Sequence, residues 1–300
     1  MGILEKIVKK IRSYRRKSRT RKEAQNIMRL KESYFTEGQI PWSPGYNYHK
    51  TEKIIEAISN ENLKESIHNR VLPKGYGYRI DERIVEYAWI FSTIPEGTQR
   101  FLDAGSTFNF PYIVSHPLIE KKDLTIFTYS PEHYAFNRRR ISYVYGDLRE
   151  MSLKDSYFDL VVSQSTIEHI DMDNSMYGYE LEHNKNVETK SYDYLIAVDE
   201  MVRVLKSGGT LLLTFPFGKF ENHGFFQQFD SEMVKRMTDI FQKQGSYDLT
   251  YFKYDPEGWR FAEMNEVTEM ESFNPHTGRG LKEDHAAHSR AILCVKFVKN

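Results

Sequence analysis

From about Gly97 onward, short apolar runs alternate with segments of helical periodicity. The runs RFLDA, LTIFTY, ISYVY, FDLVVSQ, GTLLLTF, YDLTYFKY and RAILCVKFV have the length and the β-branched and aromatic content of strands. Between them, TFNFPYIVSHPLI, PEHYAFNRR, SYDYLIAVDEMVRVLK and DSEMVKRMTDIFQKQ read as helices. That alternation predicts an α/β doubly wound sheet with helices on both faces. Ahead of it, residues from about 24 to 70 are polar and partly helical, broken by the loop signal PWSPGYNYHK and followed by the helical TEKIIEAISNENLKESI. In LPKGYGYRIDERIVEYAWIFSTI, Gly75 and Gly77 make a turn, Asp81 caps, and Ile84, Val85, Tyr87, Ala88 and Phe91 cover one helix face. Residues 170–190 and 255–289 interrupt the scheme and are expected to be long active-site loops.

The first residues, MGILEKIVKKIRSYRRKSRTRK, put Ile3, Leu4, Ile7, Val8 and Ile11 at helical spacing beside a dense run of Lys and Arg. They predict a basic amphipathic helix, either solvated or docked on an anionic membrane surface or a partner. No apolar run approaches the roughly 20 residues that span a bilayer, so the expectation is a cytoplasmic protein whose residues 1–23 offer peripheral contact at the inner membrane surface. Residues 1–96 are expected to form this basic helix and a helical extension, and 97–300 the sheet domain. The chain is 40% hydrophobic and 28% charged with zero formal net charge, which gives no electrostatic reason to expect nucleic acid. Its single cysteine, Cys294, excludes an intramolecular disulfide and a cysteine metal cluster, and sits in the last strand as a small core residue.

Ligands of such sheets sit beyond the carboxyl ends of the strands. The residues there are Asp103 and Gly105, Thr128 and Ser130, Asp147, Gln164 through His169, and Pro216 through Lys219. With LDAGS, YGDLREMSL, FDLVVSQSTIEHI and EMVRVLKSGGTLLLTFP in this order, residues 97–254 resemble the class I S-adenosylmethionine-dependent methyltransferases. GYRIDERIVEYAW, LDAGS, STIEHIDMDN and FPFGK further resemble a bacterial subgroup associated with surface polysaccharide synthesis.

The resemblance implies a Rossmann-like, seven-stranded mixed sheet with its last strand antiparallel. It also implies S-adenosyl-L-methionine as cofactor and methyl transfer to an oxygen of a small molecule, a sugar or glycan precursor. Gly105 matches the glycine that lets the backbone approach the amino-acid end of the cofactor, Asp103 the acid that orients that loop, and Asp147, with Leu148, the adenine contact. Ser106, Gln164 and Ser165 would face the cofactor as well. Two departures stand out: Thr128 replaces the acid that holds the ribose hydroxyls, and Thr107 and Asn109 replace later glycines, predicting an altered but attainable turn. His169 is the expected base for the acceptor proton, with Glu168 the alternative. Tyr78 and Arg79, with Arg83, would fold over the cofactor carboxylate or the acceptor, and His223 would line the same cleft. His285 and His288 have ligand-like spacing near Asp284, but lack a clear third histidine, so no metal is predicted. The alternatives are a non-catalytic binding module of the same fold, or a nucleic-acid methyltransferase with a basic arm. The latter is disfavoured because no Asn-Pro-Pro-Tyr-like motif is present.

Overall fold

The computed structural model describes residues 21–136, 138–175, 178, 183, 186 and 188–300. The basic helix expected through Ile3, Leu4, Ile7, Val8 and Ile11, and most of 176–187, lie outside the described residues. Helix α1 (residues 21–36) is followed by α2 (Tyr46–Ile58), α3 (Glu61–His68) and α4 (Arg83–Thr93). Then come β1 (Arg100–Ala104), the short α5 (Pro111–Val114) and α6 (Pro117–Glu120), β2 (Asp123–Thr128), β3 (Ser142–Tyr145) and β4 (Phe158–Gln164). A single 3-10 turn, Ile167–His169, precedes α7 (Tyr194–Val204), β5 (Leu205–Pro216), β6 (Glu221–Asn222), β7 (Gln227–Gln228), α8 (Ser231–Gln244), β8 (Gly245–Asp255), β9 (Gly258–Ala262) and β10 (Ala291–Lys299).

The main sheet runs β3-β2-β1-β4-β5-β10-β8-β9. Strands β1 to β5 pair in parallel, and β10 lies antiparallel between β5 and β8. This is the expected mixed sheet, with one strand more than the seven expected: β9 forms a hairpin with β8 inside the stretch assigned to a long loop. The period of two sends neighbouring residues to opposite faces. Leu102, Val161, Leu211 and Leu213 pack with α7 and α8, while Phe101, Leu160, Val162 and Leu212 pack with α4. Both faces are therefore covered, as a largely parallel sheet requires.

The expected helix TFNFPYIVSHPLI is split into α5 and α6, because Pro117 has no N–H to continue α5 and its ring suits the first turn of a new helix. PEHYAFNRR is not helical over its described residues 131–136 and 138–139. Its backbone is held from outside instead: Tyr134 O accepts from Asn109 Nδ2, and Phe136 N donates to Tyr143 Oη. Ahead of the sheet, Gly77 adopts a φ of 65°, and a Cβ there would lie 2.8 Å from Trp259 Cδ1. Trp259 donates its indole N–H to Ile80 O and its backbone N–H to Tyr76 O, which ties the turn before α4 to β9.

Candidate active site

The carboxyl ends of β1, β2 and β4, with the residues that follow β3, surround a cavity of about 300 Å³. Of the residues singled out by sequence, Arg83, Gly105, Thr107, Thr128, Asp147, Leu148, Ser165 and His169 line it. Asp103, Ser106, Gln164 and Glu168 are buried behind it, and Tyr78, Arg79 and His223 are not among its lining.

The loop after β1 resolves the missing glycines. Left-handed backbone falls at Gly105 (φ 126°) and Ser106 (φ 65°), and at neither Thr107 nor Asn109. Gly105 is indispensable for a second reason: a Cβ there would stand 2.1 Å from Thr166 Oγ1, so the loops after β1 and β4 approach more closely than any side chain permits. Asp103 closes the turn by accepting from Phe108 N at 2.8 Å and Thr107 N at 3.2 Å. Burial pushes its carboxyl up to about 7, against those hydrogen bonds. Asn109 has a post of its own, donating to Glu132 Oε2 at 2.9 Å and accepting from Tyr143 Oη at 3.1 Å.

Glu132 is the residue that the sequence reading missed at the second strand. It lines the cavity four residues past Thr128, whose hydroxyl donates to its Oε1 at 3.3 Å. A carboxylate is thus present beside β2 although the strand itself ends in threonine.

At the far side, Asp147 is engaged by Arg149 through the backbone N–H (2.8 Å) and the guanidinium (2.7 Å), and by Tyr129 Oη at 3.2 Å. Burial opposes its charge, but the hydrogen bonds from Arg149 hold the carboxyl below its ordinary range. Arg149 also reaches Asp193 at 2.7 Å.

His169 Nδ1 lies 2.6 Å from Phe225 O. A carbonyl only accepts, so Nδ1 carries the proton and Nε2 of the neutral ring carries the lone pair. Burial lowers its pKa to about 4, outweighing the Phe225 hydrogen bond, so the ring is neutral through the physiological range. Glu168 is 2% exposed with one carboxyl oxygen lacking a hydrogen-bond partner among the described residues, and burial pushes its carboxyl well above the usual range. Elsewhere, Arg79 contacts Gly38 O and stacks over Tyr78, while the His223 ring lies on Phe226 at 4.5 Å and 3.5 Å from Glu221. His288 pairs with Glu82 at 3.0 Å, and no group of metal-ligating side chains is found among the described residues.

The strand order and the strand-end cavity define a Rossmann-like methyltransferase fold. Residues 120–213 match the family model described as "Methyltransferase domain", a stretch running from α6 to β5. That match takes in most of β5 and the whole of β2 to β4, which with β1 are the parallel strands whose ends border the cavity. No curated protein matches the sequence. Among solved structures it is similar to the YcgJ protein from Bacillus subtilis, at 14% identity over 68% of this chain and 94% of that one, with a TM-score of 0.41. It is also similar to a SAM-dependent methyltransferase from Thermotoga maritima (17% identity, 82% and 99% covered, TM-score 0.40). A third is the Burkholderia thailandensis 1,6-didemethyltoxoflavin-N1-methyltransferase (10% identity, 68% and 72% covered, TM-score 0.40).

The residues present fit the cofactor. Gly105 and Thr166 border the cavity side by side, and the cavity joins apolar Phe127 and Leu148 to the carboxylates of Glu132 and Asp147. When bound, S-adenosylmethionine supplies an electrophilic methyl group on a sulfonium, so the protein's work is placement of the acceptor and management of its proton.

Proposed function

We propose that the protein transfers a methyl group to a hydroxyl oxygen of a small molecule, a sugar or glycan precursor. The observation that carries the oxygen is His169: a neutral imidazole on the cavity wall, its tautomer set by Phe225 O so that Nε2 can accept a proton. A hydroxyl nucleophile gains most from such a base. The sugar rests on the resemblance of GYRIDERIVEYAW, STIEHIDMDN and FPFGK to enzymes of surface polysaccharide synthesis. Incubating the enzyme with methyl-labelled cofactor and a deproteinised extract of the source cells tests both. Label in a sugar methyl ether supports the reading; label on nitrogen, sulfur or carbon overturns it.

In this reading Asp147 and the Leu148 amide hold adenine, Glu132 takes the ribose hydroxyls in place of an acid at Thr128, and Gly105, Ser106 and Ser165 border the amino-acid end. Asp103 and Gln164 shape that border from behind it. Calorimetry with S-adenosylhomocysteine should show Asp147→Ala and Glu132→Ala each weakening binding by roughly 1 to 3 kcal/mol, the range of a hydrogen bond to a charged group. Unchanged affinity in a folded variant would remove that residue from the site.

Residues 1–96 serve as an extension to a catalytic unit from 97 onward, and residues 1–23 add peripheral contact with an anionic membrane. Among the described residues no helix is long and apolar enough to cross a membrane. Full-length protein should co-sediment with phosphatidylserine-containing vesicles at low salt and lose this on deletion of residues 1–23. Vesicles ignored by the full-length chain would refute the contact.

A further inference from the structure

Glu86 is a charged residue with 0% exposure in the middle of the otherwise apolar helix α4. Its carboxylate accepts from four side chains carried on three segments of the chain. Oε1 takes Ser165 Oγ at 2.5 Å and Thr214 Oγ1 at 2.6 Å; Oε2 takes Arg83 Nη1 at 3.0 Å and Gln164 Nε2 at 3.3 Å. Four donors match the acceptor capacity of a carboxylate, whereas an amide in its place would set its own N–H groups against two of them. Burying such a group is costly, so the geometry it fixes is the place to look for its purpose.

Two of the four partners, Arg83 and Ser165, line the cavity. Arg83 spends only Nη1 on the protein, on Glu86 and, at 3.5 Å, on Gln164 O. Its remaining guanidinium N–H groups have no hydrogen-bond partner among the described residues, and its side chain is 28% exposed. Of the neighbouring acids, Glu82 is paired with His288, and among the described residues neither it nor Glu168 hydrogen-bonds the guanidinium. A planar fork with one arm anchored, on a residue that lines the cavity, is suited to a second carboxylate.

We infer that Glu86 is a positioning residue that aims Arg83 as the receptor for a carboxylate bound in the cavity, carried either by the amino-acid end of the cofactor or by the acceptor. The inference rests on the cavity being the cofactor site. Calorimetry on the full-length wild type, Arg83→Met and Glu86→Gln should compare S-adenosylhomocysteine with 5′-methylthioadenosine, which shares the nucleoside and lacks the amino-acid end. If the cofactor supplies the carboxylate, each variant weakens S-adenosylhomocysteine tenfold or more and leaves 5′-methylthioadenosine within twofold, and the double variant is no worse than either single one. If the acceptor supplies it, both nucleosides bind the variants normally, while 13C-acetate binding to homocysteine-nucleoside-loaded protein, read by NMR line broadening, is lost in both variants. Equal losses for both nucleosides, the mark of a purely structural role, or no change in nucleoside and acetate binding alike, would overturn the inference. A wild type that binds neither nucleoside would instead overturn the cofactor site, and the inference with it. Arg83→Met, at the cavity surface, keeps the test decisive should Glu86→Gln fail to fold.

Discussion

Replacing His169 with alanine is expected to slow methyl transfer about a hundredfold or more while leaving S-adenosylhomocysteine affinity nearly unchanged. The expectation follows from the Phe225 carbonyl, which fixes the proton on Nδ1 and leaves Nε2 as the basic nitrogen of a ring that lines the cavity. Glu168 is the poorer candidate, because burial pushes its carboxyl well above the usual range and so opposes the ionised form a base requires. Tritium transfer from methyl-labelled cofactor into a deproteinised cell extract, under single-turnover conditions, measures the rate. A stable variant with wild-type transfer would eliminate His169 as the base. The same residue sets a pH signature. Its folded pKa of about 4 lies below the ordinary 6.5, so the transfer rate should persist on acidification through 6.5 and fall only near 4. Its contribution to stability has the matching sign: it is fully present above 6.5 and is lost as pH falls from there toward 4, where only the unfolded chain takes up the proton.

Gly105→Ala is expected to abolish measurable cofactor binding and to lower stability by about 2 to 5 kcal/mol, combining a strained backbone with overpacking. The new methyl would meet Thr166 Oγ1 at 2.1 Å and Cγ2 at 2.5 Å, on a backbone whose φ of 126° disfavours any side chain. Thr107→Gly should be mild by comparison, because residue 107 needs no left-handed backbone and Thr107 contributes only a 3.4 Å side-chain contact to Asp103. Denaturant unfolding and calorimetry on the two variants separate the cases. Equal effects at the two positions would mean that the loop is not organised around Gly105.

That contrast also shows what the sequence could carry. The sheet was legible because its strands are short apolar runs with charged or turn residues at their ends, and the strand-end rule then picked out the cavity-lining Gly105, Thr128, Asp147, Ser165 and His169 from one dimension, with Leu148 added by the family resemblance. Strand β9 escaped because GWRFA, with an exposed-looking Arg260 and a tryptophan, is too short to show alternation; it is held by its register with β8 and by the Trp259 anchor. Glu132 lay in a segment read as a helix, and only the fold of that segment brings its carboxylate to Thr128 and Asn109. Glu86 was invisible for the opposite reason. A lone acid in an apolar helix reads as a solvent-facing position, and its four partners lie at sequence separations from three residues to more than a hundred. Tyr78, Arg79 and His223 were drawn to the site by position in the chain, whereas their side chains are spent on Gly38, on each other and on Phe226.

The central claim is that the cavity at the ends of the parallel strands holds S-adenosylmethionine. A crystal structure of the full-length protein with S-adenosylhomocysteine tests it most directly. The account predicts the adenine beside Asp147 and Leu148, the ribose at Glu132 and the sulfur end between Gly105 and His169. Electron density for the nucleoside at any other place, or none at saturating concentration, would contradict it.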